Sequence, residues 1–171
     1  MWRQLRAIGP LPGVGAVVVP AVIVLATGNV DVGWGLPAAP AWIPPLAGGV
    51  LIATGLALMY RTITLFATAG QGTLAPWDPT ERLVVLGPYR YVRNPMISGV
   101  LAILLGEAAL LGSLALLAWF VLFFAVNAIW MPAVEEPGLE RRFGAAYLAY
   151  KRNVPRWVPR LRPWEPEAGS R

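Results

Sequence analysis

The sequence predicts an all-α integral membrane protein with about four transmembrane helices. The last two form a tight hairpin, and a short cytoplasmic C-terminal amphipathic helix follows. Three observations carry this reading. Of the 171 residues, 57% are hydrophobic and 13% charged, where a soluble domain carries roughly 25% charged. Apolar runs fill residues 10–27, 42–60 and 96–132, and a spanning helix needs about 20 apolar residues. Finally, four spans place all fourteen basic residues on one side.

The first run, "PLPGVGAVVVPAVIVLATG", is long enough to span. A signal peptide is the competing reading, disfavoured by the lack of a clear small-residue cleavage site. The second span covers about 42–62. The third run is too long for one helix, and Gly112 and Ser113 divide it into arms 96–111 and 114–132. The N-terminus contributes Arg3 and Arg6. Arg61, Arg82, Arg90 and Arg93 lie between the second span and the hairpin, and the other eight basic residues lie in the tail. Residues 28–41 and the hairpin turn have none. The positive-inside rule makes the basic side cytoplasmic, with both termini inside. Trp34, Trp42, Trp119 and Trp130 fall near span ends, as interfacial aromatics do.

Residues 61–95 and 133–171 are left for the cytoplasm. Gly, Thr and Pro make the loop irregular until "RLVVLG", which reads as extended. In the tail, Pro137 suits a first helical turn, and Glu135 and Glu136 sit at its positive end. Leu139, Phe143, Ala146, Tyr147 and Tyr150 recur on one face, with Arg141, Lys151 and Arg152 away from it. Next, "VPRWVPRLRPW" repeats proline every four residues and reads as a non-helical strap at headgroup level. One domain covers the chain, with ligand-binding segments at 70–95 and 133–160.

With no cysteine and no histidine, thiol nucleophiles, histidine bases and Cys/His metal sites are excluded. A net charge of +5 in so apolar a chain points to anionic lipid rather than nucleic acid. The pair Glu135–Glu136 follows directly on a span. It either caps a helix or binds a cation or a ribose. Glu107 lies inside a span, where a carboxylate is costly. A neutral, hydrogen-bonded role with Asn127 as partner competes there with a functional one. The stretch "GPYRYVRNPM", residues 87–96, packs two arginines, two tyrosines and two prolines together. Pro95 opens a helix whose free amides attract anions, with Arg93 and Asn94 beside them. The competing reading is an anchor of arginines on lipid phosphates and tyrosines in the aromatic belt.

The ordered set of an "LV" piece, "GPYRYVRNP", Gly99, a helical hairpin, "EE" and "FGAAYLAYKRNVPRWVP" resembles the isoprenylcysteine carboxyl methyltransferase family, in a bacterial-type form. Phospholipid N-methyltransferases are its more distant relatives. The resemblance runs from Glu81 to Trp157. It implies S-adenosylmethionine as methyl donor and a lipophilic or small membrane-accessible acceptor, with no metal, in a bacterial inner membrane. It implies cofactor contacts at Glu81, Arg82, Leu83, Val84, Gly87, Tyr89, Arg93, Asn94, Pro95, Met96, Ile97, Gly99, Glu135 and Tyr147. Glu135, Glu136 and Arg93 are the candidate catalytic residues, and Glu107, Asn127 and Met131 the candidate substrate contacts. Asn94 and Glu81 stand where the prenylcysteine enzymes have histidines. Met131 stands where they have a carboxylate-binding arginine. The acceptor is therefore open among carboxylate, thiol and amine. The alternative is a non-catalytic scaffold or lipid-binding protein of the same fold.

Overall fold

Helices account for nearly all the ordered secondary structure in a computed structural model that describes residues 9–70 and 82–165, and no strand occurs among them. Helix α1 (Val19–Thr27) continues π-helical turns at Gly9–Val18 and ends on Gly28 at φ 59°. Helix α2 spans Ile43–Thr68, α3 Pro95–Leu111 and α4 Leu114–Trp130. Helix α5 (Glu136–Asn153) follows α4 through π-helical turns at Met131–Glu135. Among the described residues two helical runs are long and apolar enough to cross a membrane, Ile43–Thr68 and the continuous run from Leu114. The apolar helices Gly13–Thr27 and Pro95–Leu111 are shorter.

The hairpin turn falls where glycine predicts it. Gly112 has φ 60°, and a Cβ there would collide with the Asp31 carbonyl. The turn is closed from outside the hairpin. The Asp31 amide donates to the Leu111 carbonyl at 2.9 Å, and Asn29 Oδ1 accepts from Ser113 Oγ at 3.1 Å. These contacts satisfy groups that helix ends otherwise leave open.

The described residues form two compact units. One comprises 9–57 and 97–126. Glycines set the approach of its helices: a Cβ on Gly48 would stand 2.6 Å from the Gly106 carbonyl, and one on Gly55 2.5 Å from that of Gly99. Small residues permit such contact where the apolar solvent supplies no hydrophobic drive between helices.

The other unit comprises 58–96 and 127–165. Its core is Tyr147, Tyr150 and Val154, with Leu83, Val85, Leu139, Phe143 and Trp164 packed around it. This is the apolar face expected for the tail helix. One expectation needs correction. The tail helix does carry Pro137 in its first turn, but it is not a separate piece, because the helical run from Leu114 continues into it. The Glu136 amide reaches back five residues to the Met131 carbonyl, a wider turn that joins the two helices. The break comes instead at Gly144, where φ 53° and ψ −130° interrupt α5. The piece "RLVVLG" is non-helical up to Leu86, whose backbone is extended, as expected. The strap after α5 is non-helical, as its prolines require.

Candidate functional site

The segment before α3 is built on two fixed points. Gly87 takes φ 54° and starts a 3-10 turn, Gly87–Arg90, with Pro88 in its first positions. That turn sends Tyr89 inward, where its ring stacks on Phe66 at 5.3 Å between centroids. The Tyr150 hydroxyl donates to the Tyr89 carbonyl at 2.8 Å. Farther on, the Arg93 amide donates to the Pro155 carbonyl at 2.9 Å. Pro95, buried, then opens α3.

Around Arg93 lies a knot of charge. Glu136 is only 3% exposed. Arg93 Nη1 donates to its Oε1 at 2.9 Å. Arg156 binds it with two bonds, Nε to Oε1 at 2.6 Å and Nη2 to Oε2 at 3.0 Å. Lys151 Nζ stands 3.2 Å from Oε2 and 2.6 Å from Glu140 Oε1. Burial pushes the Glu136 carboxyl up, but Arg156, Arg93 and Lys151 outweigh it and hold it below the ordinary carboxylate range. The Tyr147 hydroxyl, hydrogen-bonded to Arg93, is raised by burial and then by Glu136.

Glu135 has the opposite environment. Successive helical residues point about 100° apart, so with Glu136 turned inward Glu135 faces out and is exposed. Desolvation beside the packed protein, then the charge of Glu136, raise its carboxyl. Its own charge helps raise the buried Tyr89 hydroxyl, after burial and Tyr150. The site thus pairs an ionised, fully engaged carboxylate with an exposed one whose proton affinity is increased. Such divergence between neighbouring groups marks acid–base sites.

The phospholipid methyltransferase family model matches residues 44–146, more than half of the chain. The chain belongs to the phospholipid methyltransferase family. The match covers the glycine-packed helices, the 87–95 segment, the hairpin and both glutamates of this methyltransferase fold. No curated protein and no solved structure matches the chain. Family membership and the two long apolar helices make it a membrane protein of the methyltransferase class.

Tyr89, Arg93, Glu135, Glu136 and Tyr147 come together in one unit. Asn94 and Met96 are half-buried beside them, and Met131 is buried. Leu83 and Val84 pack into the core, and Arg82 is exposed. Asn127 is half-buried in the same unit. Ile97, Gly99 and Glu107 belong to the other unit, where the Gly99 carbonyl meets Gly55 and Glu107 Oε2 has no hydrogen-bond partner among the described residues. Glu81 lies outside the described residues. Arg156, Lys151 and Tyr150 were missed as site residues. Lys151 was expected to point away, yet it turns back onto the carboxylates. One signal was available: a carboxylate buried after a span requires cations, and "KRNVPR" is one downstream cluster that can supply them.

Proposed function

We propose that the protein transfers a methyl group from S-adenosylmethionine to a lipophilic or small membrane-accessible acceptor. The observation that carries the reading is exposed Glu135 beside the closed Glu136 knot, next to the helix N-terminus at Pro95, in a chain of this family. The donor set fits such a cofactor. Glu135 offers an open carboxylate for ribose hydroxyls or a cationic sulfur, and the free amides that open α3 suit a carboxylate. Phe66 and Tyr89 supply an aromatic wall. When bound, S-adenosylmethionine supplies a methyl group activated by a positively charged sulfur.

The residues of the chain then have distinct tasks. Glu136 holds Arg93, and Arg93 fixes the approach to Pro95. That is positioning, the larger part of catalysis when no covalent intermediate is needed. A thiolate or carboxylate acceptor requires no base. For an amine, Glu135 is placed to take the proton, because its raised carboxyl is a better acceptor at neutral pH than an ordinary glutamate. We further infer four spans in a single domain, with both termini and all basic residues on the cytoplasmic side of a bacterial inner membrane. The charge distribution supports this.

The test is titration of S-adenosylhomocysteine into the purified protein in detergent. Saturable binding is expected. Glu135→Ala should weaken it about 10- to 100-fold, the worth of a hydrogen bond to a charged group. Absence of saturable binding would leave the non-catalytic scaffold standing and remove the methyltransferase reading.

A further inference from the structure

The strap after α5 is clamped at both ends and again at Arg160, whose amide donates to the Tyr91 carbonyl at 3.0 Å, and it leaves two apolar side chains bare. At its root Val154 is buried, the Pro155 carbonyl accepts the Arg93 amide, and Arg156 grips Glu136. At its far end the Trp164 ring lies 5.9 Å from Tyr150. The Trp164 amide donates to the Arg90 carbonyl at 2.9 Å, and its own carbonyl accepts from Arg90 Nε at 3.0 Å. Between these clamps Val158 is 76% and Leu161 99% exposed. Arg162 is exposed beside Leu161. Pro155, Pro159 and Pro163 fix φ along the segment, so the bare residues are displayed from a braced loop.

The root of this loop lies close to the apolar helices. Arg93 is two residues before Pro95, at most about 7 Å of chain. Glu136, which binds Arg156, is six residues past Trp130, about 9 Å along a helix. These are the depths of a lipid headgroup layer. Residues 156–162 carry Arg156, Arg160 and Arg162 and no acidic residue. Two exposed apolar side chains interleaved with arginines on one braced loop are the composition of a segment seated at a bilayer boundary.

We propose that residues 157–163 form a docking surface for anionic lipid headgroups. Leu161 and Val158 enter the acyl boundary, and Arg160 and Arg162 meet the lipid phosphates. Arg160 keeps donors for this beyond its 2.7 Å bond to the Asn153 carbonyl. The proposal does not depend on methyl transfer.

The chain has no cysteine, so Leu161→Cys gives a single attachment point for an environment-sensitive dye. The labelled full chain is reconstituted in nanodiscs of phosphatidylcholine alone or mixed with phosphatidylglycerol. Dye emission and quenching by iodide are then read. In the mixed discs the emission should shift to the blue and the dye should resist iodide. Adding Arg160→Gln and Arg162→Gln should reverse both effects. The ratio of docked to undocked loop should change about 30-fold, the equivalent of about 1 kcal/mol for each arginine. A dye equally open to iodide in both lipids overturns the proposal, as does equal protection in both. Protection in detergent that grows with protein concentration also overturns it, because it identifies a second copy as the occupant. Thermal melting of each variant serves as the folding control.

Discussion

Replacing Glu136 by alanine should destabilise the protein by about 3 kcal/mol, and most of that cost comes from Arg93. Removing one partner of a buried ion pair costs about 3–5 kcal/mol, because the other charge stays in place without compensation. Three cations meet Glu136, with unequal access to water. The side chain of Arg93 is 9% exposed, against 27% for Arg156 and 37% for Lys151. Arg156 and Lys151 can rehydrate, and Lys151 also keeps Glu140. Arg93 cannot, and its buried Nε already lacks a partner. The lower end of the range follows. Lys151→Ala removes an exposed pair and should cost no more than about 1 kcal/mol. Denaturant unfolding in detergent at neutral pH measures both. If Glu136→Ala is no more destabilising than Lys151→Ala, the knot is a surface arrangement and the argument fails. A pH series adds a second check. The folded carboxyl lies below the ordinary glutamate range, so its stabilisation is complete above that range. It is lost as pH falls through the folded value, and the gap between wild type and Glu136→Gln should close there.

Three more expectations follow from single contacts. Tyr150→Phe deletes the 2.8 Å bond to the Tyr89 carbonyl and leaves that buried acceptor without its donor, so unfolding should show a loss of about 1–3 kcal/mol. Gly48→Ala sets a Cβ 2.6 Å from the Gly106 carbonyl, whereas Gly49→Ala meets nothing within 4 Å; the first should cost about 1–3 kcal/mol and the second nothing measurable, by the same assay. Glu135→Gln should stabilise the protein at neutral pH while weakening S-adenosylhomocysteine binding in calorimetry. The raised carboxyl means that ionised Glu135 opposes folding above the ordinary glutamate range, so the gain should vanish as pH falls below it.

The parts of this fold that depend on neighbours in sequence were legible there. Hydropathy located the apolar helices, and Gly112–Ser113 marked the turn between α3 (Pro95–Leu111) and α4 (Leu114–Trp130). The spacing of Leu139, Phe143, Tyr147 and Tyr150 gave the buried face of α5. What escaped depends on distance or on backbone detail. Pro137 reads as the first turn of a new helix, yet π-helical turns at Met131–Glu135 join that helix to the span before it. Arg156 lies twenty residues beyond Glu136, and no periodicity links a strap residue to a helix. Within the site, the sequence showed two adjacent glutamates but not which one faces inward. That choice rests on the position of Arg93, which the Pro155 carbonyl fixes from elsewhere in the chain.

On the proposed function, the two glutamates divide stability from ligand binding. Glu136 gains three cations, becomes a stronger acid and holds the 90–95 segment in place. With its charge already shared among them, it has little left for a ligand. Glu135 gains no cation among the described ion pairs and becomes a weaker acid. It costs stability while it is empty, and a bound hydroxyl donor or a cation would relieve that cost. A site of this kind is destabilised where it must bind and over-determined immediately beside that point. The arrangement also ties the strap to the site, because Arg156 and the Pro155 carbonyl reach the same arginine, one through Glu136 and one through its amide. A perturbation at the strap root should therefore change ligand affinity without touching Glu135. Arg156→Gln should weaken S-adenosylhomocysteine binding and leave intact the pH response that belongs to Glu135, and Arg156→Lys should recover part of the affinity. If Arg156→Gln binds like wild type, the strap braces the fold alone and Arg93 is held well enough by Glu136 and Tyr147.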